Sequence, residues 1–462
     1  MAGITVYEFD ALVRDESGAS AAPSLHLIPS PVFDWLEAQA LRLTEVGQAP
    51  WLRLIQRGGK RAVQVTSFVG VIRAPNGFQM EVLPKVGKTM RVDEQPKARR
   101  LLIEMLRCLH GFRHIETHSA NLAAARMPLL EVFIGEFLRA VEHTVKRGLR
   151  SDYHTRQDNL FALRGKLQMA QHLRANLVRR DRFFTEFDEF SPNRPENRLL
   201  HAALRRVLDW TSQHAHQQLA RELCFVFADV PASQNPTVDF QRVRQDRGMA
   251  HYDAALAWAR LILQGVSPLT GSGAHHATSL LFPMERVFEA FVAKHLPRQL
   301  AQGFSLRTQV SGKSLVQHQG QDWFRLKPDL LVQEAKTAHL VLDTKWKLLN
   351  SQLRSGADKY GLSQGDFYQL YAYGQHYLGG QGDLVLIYPK TDTFAQPLAV
   401  FEFLPFTDPS KLRLWVLPFC LQEHTLVLPT ESTLNFWFCT DKKPFIFETE
   451  LSHDTRVTSS VR

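Results

Sequence analysis

Cysteine is scarce in this chain: Cys108, Cys224, Cys420 and Cys439 are the only four, and no two form a CxxC pair. A disulfide framework and a zinc ribbon are therefore excluded, and each thiol reads as a small buried hydrophobe. Long apolar runs are lacking as well. The best candidate, Leu412–Leu421, is broken by Arg413 and Pro418, short of the roughly 18 residues a membrane helix needs. The opening MAGITVYEFDALVRDESG has neither the basic start nor the apolar centre of a secretory signal. A cytoplasmic protein with no membrane partner is expected. The 19 histidines form no HExxH, which argues against zinc hydrolase chemistry. No phosphate-binding loop is present: Lys88-Thr89 and Lys313-Ser314 each follow a glycine, but the required earlier glycine is Val82 or Arg307. Gly361-Leu-Ser363-Gln-Gly365 spells a serine-hydrolase elbow, yet the stretch before it is too polar for a buried strand. Ser363 with Asp366 reads instead as the N-cap of the next helix.

What is present is an ordinary globular composition, 44% hydrophobic and 22% charged, over a length that suits about three domains. The net charge of +9 is unevenly spread: residues 1–50 carry −5, residues 51–250 carry +13, and the remainder carries +1. A basic block suits a polyanion such as DNA, because neutralising phosphates releases counterions. A solvated helical surface would have the same composition.

Up to about residue 100, Trp51–Ile55, Ala62–Ile72 and Phe78–Pro84 are rich in β-branched and aromatic residues near period two, with Ala74-Pro-Asn-Gly77 as a hairpin turn. From Lys97 the period becomes helical: Leu130, Phe133, Phe137 and Val141 mark one face, and helical patterns recur at Asn197–Leu219 and Asp253–Leu263. Gly265–Gly273 is the best linker. A helix (Pro283–His295), several strands, another helix (Ser363–Tyr377) and more strands follow. The fold expected is an α+β multidomain protein: a β-rich module over 1–100, a mainly helical basic region over 101–265, an α/β domain with a mixed sheet over 275–430, and a C-terminal extension over 431–462, its last dozen residues a loose tail.

The chemistry-bearing stretch is Arg325-Leu-Lys-Pro-Asp329, followed by Ala338-His-Leu-Val-Leu-Asp343-Thr-Lys345. Asp329 opens one apolar strand, while Asp343 and Lys345 end another on the same face. Two antiparallel strands with a short loop would bring the aspartates together. Close carboxylates repel unless a cation lies between them, and all-oxygen ligation suits Mg²⁺ or Mn²⁺. Lys345 could then orient a water or neutralise a phosphate. A surface hairpin with ordinary charges would fit the same pattern. Glu289, on the helix with Val287, Phe288 and Phe291, could complete the metal shell or be a solvated glutamate. Gln369 and Tyr373, one turn apart, could bond a phosphate or a carboxylate, or belong to aromatic core packing.

Together, Glu289, Pro328-Asp329, Asp343-Thr-Lys345 and Gln369-x3-Tyr373 resemble the PD-(D/E)xK nuclease core with the QxxxY helix of its exonuclease-like branch. Outside that core, the sequence resembles the McrC family, the nuclease subunit of McrBC-type modification-dependent (5-methylcytosine) restriction systems. The supporting stretches are Phe68-Val-Gly-Val-Ile, Glu81-Val-Leu-Pro-Lys85, Lys146-Arg-Gly-Leu with Tyr153, Leu163-Arg-Gly165-Lys-Leu, Glu186-Phe-Asp-Glu-Phe-Ser191 and Glu196-Asn197-Arg198-Leu-Leu.

The resemblance implies Mg²⁺-dependent (or Mn²⁺-dependent) endonuclease activity on DNA in phage or foreign-DNA defence. Asp329, Asp343 and Glu289 would hold the metal, with Lys345, Gln369 and Tyr373 completing the site. It also implies that the N-terminal part docks on the hexameric ring of an AAA+ GTPase, McrB-like, that recognises modified DNA. The basic middle would grip DNA or plug that ring's channel, and nuclease domains of two chains would meet for double-strand cutting. A non-catalytic GTPase-stimulating adaptor and a stand-alone recombination-type exonuclease are the competing readings.

Overall fold

A computed structural model of the chain describes residues 3–15, 25–45, 50–89, 95–109, 127–244, 248–264, 278–403 and 412–439. The linker read at Gly265–Gly273 and the C-terminal tail lie outside them. The chain divides into two compact units: residues 1–294 with 344–349, and residues 295–343 with 350–462.

In the first unit the strands β1 (Gly3–Tyr7), β2 (Ala11–Arg14) and β3 (Leu25–Ile28) are followed by α1 (Ser30–Glu45). Then come β4 (Leu52–Arg57), β5 (Lys60–Val65), β6 (Phe68–Arg73), β7 (Gln79–Leu83) and α2 (Gln95–Leu106). The apolar run from Ala62 to Ile72 is not one strand. It breaks at Thr66-Ser67, and its halves enter different sheets, β5 in the order β3-β2-β5-β4 and β6 in the order β1-β7-β6-β11. The last of these, β11 (Thr278–Pro283), pairs antiparallel with β6 from Thr278↔Arg73 to Pro283↔Phe68. The segment after the linker is therefore held in the first unit by a pairing across some 200 residues of chain, which no local pattern announces. Gly70 makes that pairing possible. At φ +131° a Cβ there would lie 2.0 Å from the Leu280 carbonyl oxygen. Val6, Leu12, Phe33, Leu52, Val63, Ile72, Val82 and Leu281 share one core.

The middle of this unit is largely helical: α3 (Leu129–Lys146), α4 (Met169–Asn176), α5 (Pro195–Trp210), α6 (His214–Val226), α7 (Pro236–Arg242) and α8 (Asp253–Gln264). Leu130, Phe133, Phe137 and Val141 are all buried, as their spacing predicts. The continuous helix read over Asn197–Leu219 is two helices, parted by Thr211–Gln213. A three-stranded sheet also interrupts the helices, ordered β8 (Asp152–Leu160), β10 (Phe183–Ser191) and β9 (Lys166–Leu167). Its first strand is mostly exposed and polar, so no alternation marks it in the sequence. The helix α9 (Met284–His295) follows β11.

The second unit is built on a seven-stranded mixed sheet. Its members are β12 (Ser305–Thr308), β15 (Leu330–Glu334), β16 (Thr337–Thr344), β17 (Gly382–Pro389), β18 (Phe401–Glu402), β19 (Leu412–Cys420) and β20 (Thr425–Leu426). The order is β12-β15-β16-β17-β19-β18, with β20 on β19. β17 and β19 run parallel over eight paired residues from Gly382↔Leu412. Both read as continuous apolar runs because both are buried almost throughout. Between β12 and β15 a ribbon of β13 (Lys313–His318) and β14 (Gln321–Leu326) stands apart from the sheet, and α10 (Gln364–Leu378) precedes β17.

Among the cysteines, Cys108 and Cys420 are buried as expected. Cys224 is half-buried and Cys439 exposed, contrary to the reading of every thiol as a core residue. Among the described residues no helix is long and apolar enough to cross a membrane.

Candidate active site

β15 and β16 form the hairpin that the sequence suggests, turning through Ala335 and Lys336, both at positive φ. The register Leu330↔Leu342 makes position 329 the next opposite position 343. Asp329 is held by its backbone, its carbonyl accepting from Gln309 N at 2.8 Å. Asp343 is 1% exposed, at the buried end of β16. The hairpin thus brings the two aspartates to the same end of two inner strands of the second unit's sheet, whose apolar residues Leu330, Val332, Leu340 and Leu342 are fully buried.

Helix α10 links the glutamine and the tyrosine to each other and to the chain before Asp329. The Gln369 amide donates to the Tyr373 hydroxyl at 2.7 Å, and that hydroxyl donates to the Lys327 carbonyl at 3.0 Å. Tyr373 is buried. These two side chains fasten the main chain just before Pro328-Asp329, so the pair positions Asp329. One turn on, the Tyr377 hydroxyl reaches the carbonyls of Leu326 (3.2 Å) and Val310 (3.4 Å). Ser363 does occupy the N-cap position, but its side chain makes no capping bond. Asp366, read as its partner, instead accepts from the Tyr388 hydroxyl at 3.3 Å. The Tyr388 phenol is pushed well above its ordinary range, first by burial, then by the negative charge of Asp366 and its hydrogen bond, and then by Asp343. Asp343 and Asp366 thus both lie within electrostatic reach of the Tyr388 hydroxyl.

Thr344–Leu349 belong to the first unit. There Trp346 is 4% exposed, and its indole N–H donates to both oxygens of the fully buried Glu8, each at 3.0 Å. The Lys85 ammonium donates to the Trp346 carbonyl at 2.7 Å and lies over the Phe9 and Trp346 rings. The Lys85 backbone N–H donates to Glu8 at 2.8 Å, and the Phe288 ring of α9 lies tilted against Trp346, their centroids 5.3 Å apart. Burial pushes the Glu8 carboxyl up to about 7, against the opposing pull of Lys85 and the hydrogen bonds. Lys345, half-buried, is therefore flanked on its C-terminal side by an anchored residue. Sequence reasoning missed Glu8 and Trp346. An acid within the apolar stretch Val6–Val13 and a tryptophan directly after D-x-K were the available signals.

Glu289 is also in the first unit. Its side chain is 12% exposed and pairs with Arg286 at 3.1 Å, so it is not a solvated glutamate. The structure thus gathers Asp329, Asp343, Gln369 and Tyr373 in one unit and carries Lys345 and Glu289 in the other. Among the described residues no group of three His, Cys, Asp or Glu side chains is placed to hold a metal. Two carboxylates suffice for a small hard cation that keeps several waters or takes phosphate oxygens.

Most of the stretches outside this site hold the fold. Glu81 accepts from Arg99 at 2.6 Å and from Leu129 N at 2.5 Å. Gly165, at φ +72°, would place a Cβ 2.3 Å from the Glu186 carbonyl oxygen. Asn197 donates to the carbonyls of Arg150 (2.9 Å) and Pro192 (2.7 Å) and accepts from Tyr252, while Arg198 pairs with Asp239 at 2.7 Å.

Fold and site together define a mixed α+β protein whose second unit displays paired aspartates at strand ends. The family model described as McrBC 5-methylcytosine restriction system component matches residues 63–389. The chain belongs to the McrC family of these restriction-system components. In fold it is similar to a chain of the refined half-complex from a tetradecameric assembly of Thermococcus gammatolerans McrB AAA+ hexamers with bound McrC. That match has a TM-score of 0.59 and 19% identity, covering 91% of this chain and 95% of that one. A chain of the cryo-EM McrBC complex from the same organism matches with TM-score 0.46 and 20% identity, over 65% of this chain and 89% of that one. No curated protein is a significant match.

Proposed function

We propose that this chain is the DNA-cleaving subunit of a McrBC-like restriction complex, a Mg²⁺-dependent (or Mn²⁺-dependent) phosphodiester hydrolase of the PD-(D/E)xK type. The observation that carries the reading is the hairpin register that sets positions 329 and 343 opposite each other at one end of two inner strands, with Asp343 buried and within electrostatic reach of Tyr388. Asp329 and Asp343 would hold the cation, which when bound supplies positive charge toward the oxygens of the scissile phosphate. Lys345, two residues beyond Asp343, orients the attacking water or neutralises the phosphate as charge builds. Gln369 and Tyr373 act through the Lys327 carbonyl to hold Asp329 in place. The family resemblance assigns Glu289 a third carboxylate, and Glu289→Gln measures that assignment.

The motor is a separate AAA+ GTPase ring, on which the first unit docks. The exposed apolar side chains of its three-stranded sheet, Tyr153 and Phe190, and of the connection after β8, Phe161 and Leu163, support a protein contact there in addition to any phosphate contact. The deciding assay is cutting of modified linear DNA by the chain with its partner GTPase and Mg²⁺. Lys345→Ala and Asp343→Ala abolish cutting and leave GTPase stimulation intact. Full-rate cutting by Asp343→Ala overturns the site, and cutting by the chain alone favours the stand-alone exonuclease.

A further inference from the structure

The ribbon of β13 and β14 is unlike the rest of its unit. Its strands pair from Lys313↔Leu326 to His318↔Gln321, closed by Gln319 and Gly320, both at positive φ, in the tight two-residue turn that suits a twisted hairpin. Apart from Ser314 and Leu326 every residue of both strands is exposed, including Leu315 (41%), Val316 (46%), Trp323 (45%) and Phe324 (68%). His318 and Trp323 rings lie 4.8 Å apart, and Val316 is directly across from Trp323. Exposing large aromatics on a thin ribbon sacrifices burial energy that a structural hairpin would keep.

Charge indicates what covers them. Exposed Lys313, Arg325 and Lys327 stand on the ribbon or directly after it, against a single exposed acid on it, Asp322. Its foot is also rigidly tied. Tyr377 bonds the Leu326 carbonyl, the Lys313 ammonium lies over the Tyr377 ring and bonds the His376 carbonyl, and Tyr373 bonds the Lys327 carbonyl. From Phe324 to Asp329 is five residues, at most ~17 Å of extended chain. That length spans about five base pairs of duplex.

We propose that the β13–β14 ribbon is a DNA-contacting element, with Trp323 and Phe324 stacking on or wedging between bases while Arg325 and Lys327 meet the backbone beside the cleavage site. The inference rests on the nuclease reading for its geometry but is tested separately from it. Aromatic stacking of this kind is a major part of such binding, so losing both rings weakens it roughly tenfold or more. The experiment measures fluorescence anisotropy of labelled duplex and single-stranded DNA with the full chain in Ca²⁺, comparing wild type, Trp323→Ala/Phe324→Ala and Arg325→Ala/Lys327→Ala, with thermal melts and sedimentation in parallel.

The expected result is at least a tenfold loss of affinity for the aromatic variant, with an unchanged melt. The cationic variant lowers the steepness of the salt dependence. Unchanged DNA affinity in the aromatic variant overturns the proposal, as does a change confined to self-association, which would make the ribbon a contact between copies. If the ribbon variants bind normally while Asp343→Ala fails to cut, the ribbon inference alone falls. If Asp343→Ala cuts at full rate, the cleavage site falls, and the affinity data still decide the ribbon.

Discussion

Glu131 in the first unit and Asp343 in the second are both buried acids, set in different parts of the fold. Glu131 accepts from the Thr211 hydroxyl (2.8 Å), Ser212 N (2.7 Å), the Ser212 hydroxyl (3.1 Å) and the His216 ring (2.8 Å). Burial alone would raise its pKa, yet these donors hold it at about 2. Asp343 lies where it and Asp366 together push up a neighbouring phenol. A carboxylate surrounded by donors ties helices α3 and α6 together. Two carboxylates brought to the ends of neighbouring strands are instead an arrangement that a shared cation suits, and such arrangements are where function is sought.

The contrast can be broken in several ways. The largest effect belongs to Asp343→Asn: cutting falls by about 10³-fold or more, several kcal/mol of lost transition-state stabilisation, while the melting temperature holds or rises. A melt lowered as much as the activity would make Asp343 merely structural. Glu131→Ala behaves the other way. It leaves buried donors without their acceptor and costs about 2–4 kcal/mol in urea unfolding, with no selective loss of cutting in the folded fraction. Because the folded pKa of Glu131 is depressed, its contribution is present above the unfolded value near 4.5 and is lost as pH falls towards 2.

Glu8 has the reverse sign. Its folded pKa is raised to about 7, so the native state binds the extra proton, and stability declines as pH rises from about 4.5 through 7. Glu8→Gln removes that decline, so unfolding curves at pH 5 and pH 8 converge relative to wild type. The smallest effect is that of Tyr373→Phe. It deletes the bond to the Lys327 carbonyl, about 0.5–1.5 kcal/mol, and slows cutting about three- to tenfold with DNA affinity unchanged.

The parts of this molecule legible in its sequence are those fixed by local pattern. The period of Leu130, Phe133, Phe137 and Val141 announces α3, and the spacing of Asp329 and Asp343 announces a hairpin because strand pairing is local there. What stayed hidden depends on distant partners. β11 is claimed by β6, Glu8 by Trp346, and Asp366 by Tyr388 instead of by a helix cap. Polar strands such as β8 carry no alternation to read. Gln369 and Tyr373 were found by their spacing, but their role on the Lys327 carbonyl needed coordinates.

The central claim is that Asp329 and Asp343 hold one divalent ion. Mn²⁺ binding followed by electron paramagnetic resonance on the full chain tests it most directly, without reference to cleavage. The account predicts one or more bound Mn²⁺ displaced by Mg²⁺ in wild type, with binding lost in Asp329→Asn and in Asp343→Asn while both remain folded. Undiminished Mn²⁺ binding in the Asp343→Asn chain would contradict it.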